Sequence, residues 1–319
     1  MPSTIIGAVR TAILQQRGIS LRDYTSPSGT DPEILKKYPL LGQPESPGFE
    51  IEGPLFEIWG EDGDKEWLLP APANWFTGSF AEHEDGEEAD VVMADELPDS
   101  VASLRLCGNV PRPVWILNPG RQDMKTLSGY WVNPSAFTTM RGGKGKIAVH
   151  NSVKNIKSNR PSMVGLSAIF NNETRIGIAL ETGMRRVIAG HLYSTTQIRL
   201  QPGVFMVAGL SENLVQTYLD KQGIFTIGGE QRIVRYELLS EGPTLPTGDS
   251  HWLMALSTFP YADLKNFGEE LPRVSGPLIR MGGWDMKKGF HKPMTSYFPA
   301  GTVICTGKES SIPFGFIRS

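Results

Sequence analysis

A chain of 319 residues with 39% apolar and 20% charged side chains carries enough core for about two compact domains, which excludes an intrinsically disordered protein. Its net charge of −3 excludes a chain that is basic throughout. Two cysteines, Cys107 and Cys305, cannot build a zinc site alone, and no apolar run reaches the roughly 20 residues of a membrane helix. With no secretory signal, a cytoplasmic protein with reduced thiols and no membrane contact is expected.

The charge divides unevenly along the chain. Residues 1–139 hold 10 Lys/Arg and 21 Asp/Glu, a balance of −11, and residues 140–319 hold 21 and 13, a balance of +8. Between 141 and 186 nine basic residues stand against Glu173 and Glu181. Such asymmetry suggests a polyanion met by one region, although a solvated basic surface would look the same.

A helix is predicted over 3–17. Ser3 or Thr4 can cap it, Ile6, Val9 and Ile13 repeat at helical spacing, and Gly18 suits the stop. Ser3, Gly7 and Arg10 line the opposite face. Residues 25–53 read as a long loop rich in proline and glycine, with a short helix near 33–38. Pro54–Trp59 and Glu66–Leu69 flank an Asp62-Gly63 turn, a hairpin signal. Residues 82–99 hold nine acids and no base and read as a solvated loop. Residues 140–162 lack periodicity and are expected to be mobile without a ligand. Strands are predicted at 175–180 and 191–200 about a turn near Gly183, then at 204–210. A helix over 211–221 follows, and further strands at 225–238, 252–259, 278–281 and 301–306. Many strands with few helices predict an α+β fold.

The search for an enzyme returns little. His83, His150, His191, His251 and His291 are widely separated, and no HExxH, GxSxG or phosphate-cradling P-loop pattern is present. His191, near Tyr193 and Arg199, is the best general acid or base, against a plain strand histidine. Neither a catalytic residue, a metal nor a cofactor is expected.

Glycine-centred segments carry more. Gly228-Gly229-Glu230-Gln231-Arg232 interrupts a strand-like run, where glycine admits another backbone or a base, or marks a bulge. Gly282-Gly283-Trp284-Asp285, followed by Lys287, Lys288 and Lys292, offers backbone N–H groups, ammonium groups and a stacking face. The Ser3–Gly7–Arg10 stripe lies at a helix start that favours a phosphate. Each is singly more often a turn or packing device. Together with Lys154, Lys157, Arg160 and Arg175 they predict a grip on single-stranded nucleic acid.

An ordered set of motifs then resembles one family. Pro2-Ser3-Thr4-Ile5-Ile6-Gly7-Ala8-Val9-Arg10 is similar to its first helix, and Gly53-Pro54-Leu55-Phe56 with Leu69-Pro70-Ala71-Pro72-Ala73-Asn74 to its next blocks. Glu173-Thr174-Arg175-Ile176-Gly177-Ile178 with Gly190-His191-Leu192-Tyr193 resembles a further block, and Gly228-Gly229-Glu230, Gly282-Gly283-Trp284 and Pro299-Ala300-Gly301-Thr302-Val303 its C-terminal half. The family is the third RAMP subunit of the type III-B CRISPR Cmr effector. Asn74 departs from it, standing where an acidic residue is usual. The family also begins with a strand ahead of this helix.

The resemblance implies two ferredoxin-like (RRM-like) RAMP domains with long insertions and glycine-rich loops. These are 1–200, with a basic thumb-like insertion near 140–186, and 201–319. It implies a non-catalytic subunit that binds the crRNA 5′ tag and contacts the large Palm-domain subunit and the backbone RAMP subunits. A RAMP endoribonuclease processing repeat RNA, or a general single-strand RNA scaffold, are the alternatives. The residues expected to touch RNA are Ser3, Gly7, Arg10, Lys154, Lys157, Arg160, Arg175, Gly228, Gly229, Arg232, Gly283, Trp284, Lys287 and Lys292, with Arg10, Arg175, Arg232 and Lys287 converging on one groove.

Overall fold

The structure is a computed structural model that describes residues 2–26, 30–59, 64–78, 84–98, 112–117, 123–183, 186–214, 218–228, 232–246, 248, 250–285, 290–307 and 310–319. It opens with α1 (Pro2–Gln16). Ile5, Val9, Ala12 and Ile13 fall on one helical face and are all buried, as the 3.6-residue repeat requires. Gly18, at φ 66, ends the helix, where Gly18 N donates to Gln15 O and Ile19 N to Leu14 O. That is a Schellman closure, which a left-handed glycine makes without strain. Because the helix already includes Pro2, Ser3 and Thr4 lie within its first turn and not at its cap.

The strands run in order β1 (Ile51–Trp59), β2 (Lys65–Pro70), β3 (Trp75–Thr77), β4 (Glu88–Met93), β5 (Asp95–Glu96), β6 (Val114–Trp115), β7 (Lys125–Thr126) and β8 (Tyr130–Val132). They continue with β9 (Lys144–His150), β10 (Ser162–Gly165), β11 (Phe170–Leu180), β12 (Val187–Leu200) and β13 (Val204–Leu210). Nine of them form one sheet ordered β13-β1-β2-β8-β10-β9-β4-β3-β7. β1 and β2 are the expected hairpin, paired from Phe56↔Leu68 to Trp59↔Lys65, while the Asp62-Gly63 turn falls outside the described residues. β11 and β12 pair with each other as a two-stranded ribbon.

The remainder holds β14 (Gln222–Ile227), β15 (Arg232–Glu237), β16 (Trp252–Ala255), β17 (Phe259–Pro260), β18 (Arg273–Val274), β19 (Ile279–Asp285), β20 (Phe290–Phe298), β21 (Val303–Cys305) and β22 (Phe316–Arg318). β14 and β15 form a hairpin, β18-β21-β16-β22 a small sheet, and β17-β20-β19 another. The fold is mixed α/β and mostly strand.

The largest core cluster joins both stretches of sequence: Trp75, Ile147 and Met163 pack with Trp252, Met254 and Val303. A second core lies under α1, where Leu214, Leu219, Phe225 and Ile227 meet Ile5, Val9 and Ile13. Gln16 Nε2 donates to the Tyr236 hydroxyl at 2.7 Å, and Arg17 pairs with Asp220 at 2.6 Å. These bonds clamp the end of α1 onto the β14–β15 hairpin.

Four local expectations are corrected. Residues 140–162 contain β9 and lead into β10, its neighbour inside the main sheet, because Ile147, Ala148 and Ser162 are buried. The acidic stretch forms β4 and β5 in place of a solvated loop; Ala89 and Val91 alternate inward between outward carboxylates. Over 211–221 no helix is present among the described residues; Leu214 and Leu219 are instead drawn singly into the α1 core. The 225–238 run is a hairpin folded about Gly228, at φ 74.

Candidate nucleic-acid interface

Charge on the sheet is more balanced than charge along the sequence. β4 lies antiparallel to β9 with Asp90 opposite Lys146, and Val92 opposite Lys144. Arg160 donates to Gly86 O at 3.0 Å and reaches Glu88 at 3.7 Å. Asp85 accepts from Asn151 N and from Asn155 Nδ2, both at 2.7 Å. The acidic segment therefore folds onto the basic one and neutralises part of it. Lys154 and Lys157 are exposed beside it, in the loop that follows β9.

The stripe on α1 divides. Ser3 and Gly7 face solvent, and a Cβ added at Gly7 would meet nothing within 4 Å. Arg10 turns inward instead. It is 8% exposed, donates to Pro44 O at 3.1 Å and to Gln43 O at 2.5 Å, and lies over the Tyr24 ring. Burial lowers its pKa to about 10, still cationic at neutral pH. Its guanidinium is taken up in holding the 43–44 turn, so it does not face a groove.

Gly228 sits at the tip of β14 with open space around its Cα, and Arg232, exposed, begins β15. This hairpin packs along α1: Tyr236 bonds Gln16, and Phe225 and Ile227 enter the α1 core. Ser3, Gly7, Gly228 and Arg232 thus belong to one body. Gly283 and Lys292 stand opposite each other on the separate β19–β20 hairpin. The 282–285 segment, expected as an anion-binding loop, is a bulged strand whose ladder runs to β20. Gly229, Lys287 and the Trp284 side chain lie outside the described residues.

The ribbon carries the most organised surface, and of the residues expected to touch RNA only Arg175 lies on it. Along one face lie Glu173, Arg175, Gly177, Tyr193, Thr195, Gln197 and Arg199, as the register dictates. Arg199 makes a two-pronged bond to Glu173, and Arg175 reaches the same carboxylate at 3.6 Å. The hydrogen bond from Arg199 holds the Glu173 carboxyl below its usual range. Two guanidinium groups share one carboxylate, so this patch keeps an excess positive charge.

Beside it the Tyr193 ring, 57% exposed, lies across Gly177; a Cβ there would collide with the ring. An exposed ring next to arginine is a stacking platform for a base. The opposite face carries Ile176, Ile178, Leu180, Val187, Leu192 and Ile198, all exposed, with uncharged Thr174, Thr196 and Ser194 between them. The period-2 alternation of this face was legible in the sequence. Its exposure was not, since alternation normally signals a buried side.

His191 is exposed on β12. Among the described residues no cluster of three His, Cys, Asp or Glu side chains could hold a metal, and no helix is long and apolar enough to cross a membrane. Asn74, the departure noted above, is fully buried and donates to Ala94 O at 3.2 Å, a bond that a carboxylate could not make.

Residues 1–251 match the family model for the CRISPR-associated protein Cas_Cmr3. The chain belongs to that family. The Cas_Cmr3 match takes in α1, the ribbon and the β14–β15 hairpin, and stops before β19–β20. The resemblance drawn from ordered motifs thus holds at the level of the CRISPR-associated Cas_Cmr3 family. Among solved structures, a chain of the "Type III-B Cmr-beta bound to cognate target RNA and AMPPnP, state 1" aligns at TM-score 0.47 and 18% identity, covering 95% of this chain and 76% of that one. A chain of the complex "bound to cognate target RNA" aligns at TM-score 0.47 and 17% identity, covering 95% and 74%. No curated protein sequence matches.

Proposed function

We propose that this chain is a non-catalytic subunit of a type III-B CRISPR effector, holds the crRNA 5′ tag, and bridges the large Palm-domain subunit to the RAMP backbone. We read its architecture as two ferredoxin-like RAMP units dividing near residue 200, the ribbon being the projecting part of the first. The observation that carries the RNA reading is the polar ribbon face, where exposed Tyr193 sits beside Arg175 and Arg199. Aromatic stacking is worth about 1–3 kcal/mol per base and suits single strands. The uncharged apolar face behind it supports membership of an assembly, because a lone chain rarely leaves such a surface in water. Ser3, Gly7 and Arg232 on the α1 body supply a second contact.

The test is binding of tagged crRNA to the full chain. Tyr193→Ala should weaken binding about tenfold or more. Replacing Lys154 and Lys157 by alanine should flatten the log–log salt dependence by about 0.7 for each phosphate these lysines neutralise. Unchanged affinity in both variants overturns the reading. The same RNA should remain uncut, and metal-independent cleavage abolished by His191→Ala would replace it with the endoribonuclease.

A further inference from the structure

A cleft of about 1020 Å³ opens between the α1 body and the C-terminal sheets, far in chemistry from the arginines of the ribbon. One wall brings Ile6, Glu45 and Glu50; the other brings Phe259, Asp263, Phe267 and Phe316. Ser257 fixes the two walls at the floor. It accepts from Gly53 N at 2.5 Å and donates to Gly53 O at 2.9 Å. Phe259 packs against Phe267 and Phe316, so the aromatic wall is rigid.

Among the described residues, the charge lining the cleft has one sign. Glu45, Glu50 and Asp263 line it, and among the described residues no lysine, arginine or histidine does. Arg10 answers Glu45 from inside the protein, leaving Glu50 and Asp263. The buried Thr258 hydroxyl, in the wall, has no hydrogen-bond partner among the described residues. Glu52, which contacts Gly315 at the rim, is a half-buried carboxylate whose pKa is raised by burial. A negative, apolar cleft repels phosphate and attracts a cation on an apolar stem.

The geometry points to this cleft as the docking site for a peptide segment of a protein partner that carries lysine or arginine among apolar residues. Apolar side chains of the segment would cover Ile6, Phe259 and Phe316, and its cations would meet Glu50 and Asp263. Most of the cleft comes from residues 253–316. It rests on the effector-subunit reading only in that a partner protein must exist.

Selection of a displayed library of random decapeptides on the full chain tests this. Peptides rich in lysine or arginine with aliphatic or aromatic neighbours should be enriched. Synthetic copies should bind the Glu50→Lys/Asp263→Lys double variant about tenfold more weakly, since two partly exposed ion pairs become repulsions. The double variant should keep its thermal midpoint and its affinity for tagged crRNA. Selection of peptides without basic residues, or equal binding to wild type and the double variant, overturns the docking site. Loss of RNA binding in Tyr193→Ala is read separately, so the two proposals fail independently.

Discussion

Replacing Gly7 by alanine, and then by leucine, separates a helix face that is merely bare from one kept bare for a ligand. Gly7 lies inside α1, where glycine is about 0.8–1.0 kcal/mol less favourable than alanine and leucine is close to alanine. No atom stands within 4 Å of the added Cβ, so no steric cost offsets that gain. Each variant should therefore be more stable by about 0.8 kcal/mol, raising the thermal midpoint by about 1 °C for a chain of this size. Thermal unfolding followed by circular dichroism measures this, with tagged-crRNA affinity on the same samples. If RNA approaches the α1 face, affinity falls as the side chain grows, alanine a little and leucine strongly. Unchanged affinity in both removes α1 from the interface. A lowered midpoint in the alanine variant would refute the reasoning itself, since it would mean that the face is covered. Gly228 behaves oppositely. At φ 74 a valine is strained wherever RNA lies, so Gly228→Val should cost about 1–2 kcal/mol.

Arg10→Ala should lower stability by about 2–4 kcal/mol, because it strips two backbone carbonyls of a charged donor in a buried site; a midpoint equal to wild type in urea would contradict that. In Gly177→Ala the Tyr193 ring must leave its seat, so RNA affinity should drop as in Tyr193→Ala while the midpoint moves by less than about 1 °C. Asn74→Asp, which restores the acidic residue usual in the family, should destabilise by about 3 kcal/mol, since a buried carboxylate would face the Ala94 carbonyl; equal stability to wild type would show a cation nearby. Burial, aided by Glu96, pushes the Cys305 thiol from 9.0 up to about 12. Its raised folded pKa gives stability that is fully present below the ordinary value and is lost as pH rises toward 12, and peptide mapping after iodoacetamide at pH 8 should find Cys305 unmodified until the protein unfolds.

Features whose signals are local could be read from the order of amino acids. The apolar repeat Ile6, Val9 and Ile13 with Gly18 after it specified α1, and two strand-like runs about Gly183 specified the ribbon. Ordered short motifs sufficed for the family, because they record many backbone requirements at once. Features that depend on pairing between distant residues emerged with the folded chain. Composition placed a basic region at 141–186, but the antiparallel register of β4 and β9 sets Asp90 against Lys146, and the polyanion argument loses part of its charge there. Helical spacing placed Arg10 beside Gly7, yet the 43–44 turn supplies carbonyls that draw it inside. Residues 211–221 carry helix formers, but at the described ends of that run burying Leu214 and Leu219 under α1 outweighs a propensity of a few tenths of a kcal/mol per residue. Alternation in 170–200 says that one ribbon face is apolar; whether that face is covered depends on which other segments pack against it, and here its isoleucines and leucines stand in water.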